Sequence, residues 1–320
     1  MTMRRAAVRL AASAILAVAS LVGVVGPAGS ATPPAFLTIS FGRTQWVQTD
    51  VKCVPMSGAV PLDQVAAAMA QRGLPGAGNV VVDRTAESGS TCIGNFYLSP
   101  GWDQLATLRD TDGWSFVSAS TSYANMTTLS PDQQKAESCG SLDAFTAHGH
   151  QGAWGLFAYP NNRYTTTIQT NVVSTCFAYG RRYGRAANVR STMTAPWFAT
   201  ADSVNGGSCN TSGAACYDVN GAPRRYRSPL DLAGRAAGAQ PDQWINLQFY
   251  RFVTGARGTP GGTGFRWDCT STDWRLHWTS KTELYCYNDF LSVLDAVGAG
   301  VTMADPATVA TAWGRTPPFS

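Results

Sequence analysis

Histidine is scarce in this chain: there are three, His148, His150 and His277, in 320 residues, and none lies between residues 32 and 147. A zinc-type centre draws imidazole nitrogens and carboxylates onto one ion, so a centre whose histidines come from the first strands is excluded. No C-x-x-C pair occurs, which turns the cysteines away from zinc spacing. Ser141 in "CGSLDAF" has no G-x-S-x-G elbow around it, and that excludes the sharp strand-to-helix turn of a serine hydrolase. The glycine-rich stretch "GARGTPGGTG", residues 255–264, lacks a lysine at the phosphate-binding place and opens no helix, so it reads as a surface loop. Beyond the first residues no Lys/Arg-rich run occurs, which excludes a phosphate-tracking surface for nucleic acid. Nor does any repeat, low-complexity tract or long Pro/Ser linker divide the chain.

What is present begins with Arg4, Arg5 and Arg9, an apolar run from Leu10 to Val25, and the small-residue stretch "GPAGSA" ending at Ala31. That order is the order of a cleavable secretion signal over residues 1–31. The apolar run is short, and small residues follow it directly, unlike a membrane anchor. The expected exported chain is one extracellular domain, residues 32–320, with no membrane contact once the signal is cut. Removing three arginines lowers the formal charge from +4 to +1 (4 − 3), so the basic balance says nothing about partners. Eight cysteines remain, and an even number in an exported chain favours disulfides. Neighbours in sequence are the simplest pairs: Cys209 with Cys216 and Cys269 with Cys286, then Cys53 with Cys92 and Cys139 with Cys176.

Strand-like and helix-like stretches alternate. "AFLTISF" reads as a buried strand; "PLDQVAAAMAQRG" repeats Leu62, Val65, Ala66 and Met69 at helical spacing and stops at Gly73. "NVVVD" follows as a strand, and "SPGWDQLATLRDTDG" as a helix with Ser99 as its cap. "WSFVSAS", "AWGLFAYP" and "TCFAYG" are further strands, with a long helix opened by Ser130 and Pro131 before the second of them. Later come "QWINLQFYRFV" and the helix "NDFLSVLDAVGAG". Repeated β-α units predict a parallel sheet under helices, and six to eight of them predict a closed barrel with its site at the carboxyl ends of the strands. The stretch "ISFGRTQW", residues 39–46, places Arg43 and Trp46 at such an end.

The pieces "RGLPGAGNVVV", "SPGWDQLATLRDTDGWSFVSAS", "NMTTLSPDQQKAESCGSL", "GLFAYPNN", "QWINLQFYRFVTG" and "NDFLSVLDAVGAGVTMADPATV" follow one another along the chain. In that order they resemble the polysaccharide deacetylase family, whose NodB-homology domain removes acetyl groups from N-acetylated glycans. The resemblance implies an α/β fold: a single distorted (β/α) barrel of about seven strands, stapled here by disulfides. It also implies a metal held by one aspartate and two histidines, a second aspartate as base and a late histidine as acid, with the ion polarising the acetyl carbonyl and activating water. Those positions are substituted. Where the family has T-F-D-D-G the chain reads Ser40-Phe41-Gly42-Arg43-Thr44. Where it has H-[ST]-x-x-H, "SASTSY" offers Ala119 or a neighbour, and Tyr123. Tyr250 stands at the late histidine and Ala158 at the arginine near the Pro-Tyr segment. No metal ligand is therefore assigned and no cofactor is expected. A guanidinium at Arg43 would repel a divalent ion and suit carboxylate, sulfate or sugar hydroxyls; the alternative is that Arg43 pairs with a buried acid such as Asp50 or Asp83.

Other groups were weighed for chemistry. "AHGHQG" places His148 and His150 in a helix-to-strand turn. Asp268, Asp273, His277 and Glu283 lie in a Trp-rich segment, and two carboxylates about 5–9 Å apart would permit glycosidic hydrolysis. Trp46, Tyr123, Tyr159, Trp197, Tyr250, Trp267, Trp274 and Trp278 lie near loops or strand ends, where flat rings stack on sugars and Asn161 and Asn162 meet hydroxyls. The expectation is a secreted deacetylase-like protein that binds a polysaccharide or cell-wall glycan through Arg43, Trp46, Tyr123, Tyr159, Asn161 and Tyr250. The alternatives are a metal-independent hydrolase using residues 268–283 and a structural or protein-binding domain.

Overall fold

Seven parallel strands follow one another around a closed ring. They are β1 (Ala35–Phe41), β2 (Ala77–Val80), β3 (Ser115–Ser118), β4 (Leu156–Ala158), β5 (Tyr179–Tyr183), β6 (Phe198–Ser203) and β7 (Gln243–Phe249). Each pairs with the next in sequence, and β7 returns to β1 over six residue pairs, from Phe36↔Trp244 to Phe41↔Phe249. The barrel is thus of the expected (β/α) type with seven strands. The computed structural model describes residues 34–317 except 95, 195–196, 205–227, 260–263, 274–276 and 280–282. Among the described residues no helix is long and apolar enough to cross a membrane.

Why these stretches form a barrel is visible in β1, where every residue is buried. Leu37, Ile39 and Phe41 pack outward in one core with Val65, Leu105 and Phe290 of the surrounding helices. Alternate residues turn inward, as a period of two requires. The inward faces are graded along the barrel axis. At the amino ends Phe36, Tyr179 and Trp244 form an apolar cluster with Val309, Ala310 and Trp313. The helix Pro306–Ala312, capped by Asp305, closes this floor. One layer up, the Trp244 indole donates to Thr38 Oγ1 at 2.9 Å, and Ser40 donates to Asn246 Oδ1 at 2.7 Å. At the carboxyl ends the same faces carry Arg181 and Gln248.

The predicted helices are present with shifted ends. The first runs Leu62–Ala70. The second runs Trp102–Asp112 with Gly101, not Ser99, at its cap, because Ser99 hydrogen-bonds within the short strand Tyr97–Ser99. The long helix opened by Ser130 breaks into Pro131–Ser138 and Ser141–Ala147. The break is at Gly140, where a Cβ would stand 2.6 Å from the Ala136 carbonyl. Small antiparallel and mixed sheets elaborate the loops, including Ala59–Val60 with Arg251–Val253 and Leu284–Cys286. Cys53–Cys92, Cys139–Cys176 and Cys269–Cys286 are disulfides, as read from sequence neighbours. The pair Cys209–Cys216 lies outside the described residues.

Candidate functional site at the barrel mouth

β5 reads Tyr179, Arg181, Tyr183 on one face, and β7 continues Trp244, Asn246, Gln248 to Tyr250 just past its end. Strand periodicity therefore raises an arginine, an amide and two phenols to the mouth. Arg181 is 4 % exposed, bonds the Gln248 side-chain oxygen and lies under the Tyr183 ring at 4.4 Å. No carboxylate pairs with Arg181 among the described residues, and its Nε is buried without a partner. Tyr183 and Tyr250 join hydroxyl to hydroxyl, and Gln248 Nε2 donates to Tyr250 at 2.8 Å.

Gly42, Arg43, Ala119, Tyr123, Ala158 and Tyr250, the positions matched in sequence to the family's functional residues, line one cavity of about 10 Å³ together with Asn79, Arg181, Tyr183 and Gln248. The convergence comes from six different strand ends. Gly42 is obligatory in this packing: a Cβ there would run into the Tyr250 ring and lie 2.7 Å from Gln248 Nε2. The phenol and the amide thus occupy the space in front of residue 42.

Above this cavity a groove of about 520 Å³ is lined by Arg43, Tyr123, Asn125, Asn161, Arg163, Tyr183, Tyr250 and Glu283. A second groove, about 870 Å³, shares Arg43 and Glu283 with it and adds Phe96, Tyr97, Arg251, Phe265 and Arg266. Nine non-glycine residues have positive φ among those described, and Arg43, Thr44, Ser120, Tyr123, Asn161 and Asn162 are six of them. Such conformations cost about 1–3 kcal/mol each and gather where a side chain must be aimed.

Electrostatically the mouth is cationic. Glu283 bridges Arg43 and Arg251, so this cluster keeps one net positive charge. Burial, and then the Arg43 charge, pull Arg251 down to about 10, which leaves it charged at neutral pH. Arg163 is exposed with no acidic partner among the described residues. Arg84 stacks on Tyr123 at 4.6 Å, and Arg43 lies 5.9 Å from that ring. Burial favours the neutral phenol at Tyr183, but the Arg181 guanidinium and the hydrogen bond with Tyr250 outweigh it and hold Tyr183 below the ordinary tyrosine value. Burial, then the neighbouring Tyr183 oxygen, push Tyr250 well above it.

The sequence-read residues separate into groups. Arg43, Tyr123, Asn161 and Tyr250 meet in the groove. Asn162 supports it by accepting the Tyr183 backbone N–H at 3.3 Å. Trp46 is half-buried against the main core. Tyr159 must be withdrawn as a ligand contact: its exposure is 0 %, its ring packs on Phe157 and Tyr164, and its hydroxyl bonds Gln169. Inward alternation from Ala158 sends Tyr159 outward, under the helices. The partner of Arg43 is Glu283, not Asp50 or Asp83; Asp50 instead accepts the backbone N–H groups of Lys52 and Val54 in an exposed turn.

Asp268, Asp273 and His277 line neither groove, so the proposed carboxylate pair is not assembled with Glu283. Asp268 accepts from Thr270, and His277 bonds Asp289 through Nδ1 and the Ser271 carbonyl through Nε2, both at 2.7 Å. Because a carbonyl only accepts, Nε2 carries a hydrogen and the His277–Asp289 contact holds one more proton. Cys286 adjoins this pair but is in a disulfide. His148 stacks on Trp102 at 4.3 Å, and His150 is buried beside Phe116, where burial lowers it to about 4. Trp267 is core and Trp197 stacks under Arg315. Trp274 and the Trp278 side chain lie outside the described residues.

Residues 62–180 match the family model described as polysaccharide deacetylase. That match spans 119 of the 320 residues. The match ends one residue before Arg181 and begins after Arg43. The chain is also similar to a family 4 carbohydrate esterase from Streptomyces lividans, at 13 % identity over 86 % of this chain and 95 % of that one, TM-score 0.40. A chitin deacetylase from the fungal pathogen Colletotrichum lindemuthianum is similar at 12 % identity over 90 % and 91 %, TM-score 0.43. The Xyl-CE4 domain of a multidomain xylanase from the hindgut metagenome of Trinervitermes trinervoides is similar at 10 % over 90 % and 95 %, TM-score 0.42. No curated protein matches.

The donor set at the mouth does not fit a divalent ion. Two guanidiniums, three phenols, two amides and two methyl groups face the small cavity, with no imidazole and no carboxylate among them. Arg43 and Arg181 would repel the ion electrostatically.

Proposed function

We propose that this chain is a divergent relative of the polysaccharide deacetylases, an exported glycan-binding protein whose barrel mouth holds sugar without metal-dependent deacetylation. The observation that carries the reading is the groove itself, where phenol rings, amides and guanidiniums line the open end of the barrel. Tyr123 and Tyr183 offer flat faces to pyranose rings, while Asn125, Asn161 and Arg163 offer hydrogen-bond donors for hydroxyls and charged substituents. The family's substrate class supports a polysaccharide as the ligand; the secretion-type leader supports a cell-wall or extracellular one.

A glycan array probed with the purified chain in the presence of a chelator tests the reading. Expected is retention of at least one polysaccharide, with Tyr123→Ala weakening the retained glycan about tenfold or more, since one stacking ring contributes roughly 1.5 kcal/mol. Binding that vanishes with the chelator, or acetate release from an N-acetylated glycan on adding zinc, would overturn it.

A further inference from the structure

The mouth concentrates positive charge that nothing among the described residues neutralises. Arg181 is buried without a carboxylate, Arg163 is open, and the Arg43–Glu283–Arg251 cluster keeps one positive charge. A neutral sugar would leave all of this unanswered, whereas a sugar carboxylate would meet planar donors that match its geometry. The two phenols beside these guanidiniums are unlike each other. Tyr183 is 40 % exposed with its ring over Arg181; Tyr250 is 5 % exposed and shares a hydroxyl-to-hydroxyl hydrogen bond with Tyr183. A buried guanidinium with no carboxylate nearby favours the anionic form of the phenol above it, and two titratable groups pushed in opposite directions form an acid and a base. Facing Tyr183 are Arg181 on its own strand and Tyr250 and Gln248 from β7; Tyr123 and Arg43 lie across the groove.

We infer that the groove binds an acidic, uronate-containing polysaccharide and cleaves it by β-elimination, with Tyr183 as the base and Tyr250 as the acid. This rests on the glycan-binding reading. The sugar carboxylate, held by Arg163 and Arg43, acidifies the adjacent C5–H by accepting charge. Tyr183 Oη takes that proton, the C5–H electron pair forms the C4=C5 double bond, and the C4–O4 bond breaks with its electrons on O4. Tyr250 gives O4 its proton. Tyr250 is reprotonated by Tyr183 through their direct hydrogen bond. No water, metal or redox partner enters the balance.

The test is the full chain, with chelator, incubated with polygalacturonate, alginate, hyaluronan and heparan sulfate, and with chitin and xylan as neutral controls. Formation of the unsaturated uronate is read by its ultraviolet absorbance, and binding is read in parallel by affinity electrophoresis. Expected is rising absorbance with at least one uronate polymer and none with the neutral ones, increasing with pH as Tyr183 ionises. Tyr183→Phe should lower the rate at least about 100-fold while changing affinity only a few-fold, with thermal unfolding unchanged. Uronate binding with no absorbance from any polymer overturns the elimination and leaves glycan binding standing. Binding to neutral glycans alone overturns the acidic ligand as well. No binding to any polymer overturns both this inference and the reading beneath it.

Discussion

At Gly42 and Glu283 single side chains decide what the barrel mouth can be. Glu283 is the acid shared by Arg43 and Arg251. Glu283→Gln would leave two adjacent cations facing each other, one of them almost fully buried. The expected loss is about 2–3 kcal/mol in urea unfolding, toward the lower end of broken buried pairs because Glu283 itself is part-exposed. Gly42→Asp would drive a carboxylate into Tyr250 and Gln248. Overpacking of this kind costs about 2 kcal/mol or more, and Gly42→Asp combined with Tyr250→Ala should be less unstable than the sum of the two. Asp289 supplies the pH dependence. Burial raises its pKa from 3.8 to about 7, so its contribution to stability is fully present below about 4 and is lost as pH rises through 7. The Tm of Asp289→Asn minus that of the parent should therefore rise between pH 4 and 7. Sequence order placed Arg43, Tyr123 and Tyr250 correctly because strand ends are visible in apolar runs. It named Glu283 only as a hydrolytic candidate and could not pair it with Arg43, 240 positions away. Arg181 was within reach: extending the strand "TCFAYG" by three residues shows Tyr179, Arg181 and Tyr183 alternating on one face.

Among elements, the strands were the legible part and the helix ends the less legible. An apolar run flanked by glycine and proline survives any tertiary context, whereas a cap depends on neighbours, as Ser99 shows by serving a strand instead. The helix that breaks at Gly140 is held there by Cys139–Cys176, which closes a separation of 37 residues. Replacing both cysteines by serine should cost about 3–4 kcal/mol by the loop-entropy estimate, measured by denaturant midpoint under non-reducing conditions. Nothing in "PATVATAWG" announced that its helix would stop the barrel floor, because that role depends on apolar faces supplied by Phe36, Tyr179 and Trp244 from distant strands.

Taken as a whole, the molecule is a seven-stranded barrel whose mouth is lined by guanidiniums, phenols and amides. Its stability should be indifferent to zinc or to a chelator, with Tm shifts within about 1 °C, because a ligand that binds neither state changes neither. Glycan retention at the mouth should weaken as salt is raised, since exposed Arg163 is screened over roughly 8–10 Å at ordinary ionic strength. The floor carries a different consequence. β1 is the first strand of the ring, yet it is zipped to β7, with Thr38 and Trp244 lying 206 positions apart, and Trp313 seals the base beneath them. A ribosome delivers these partners long after β1. Until β7 and the helix bearing Trp313 have emerged, the cylinder is an unsealed trough with an aromatic seam open to water, so its closure waits on segments more than 200 positions downstream of β1, and losing them would leave it permanently ajar.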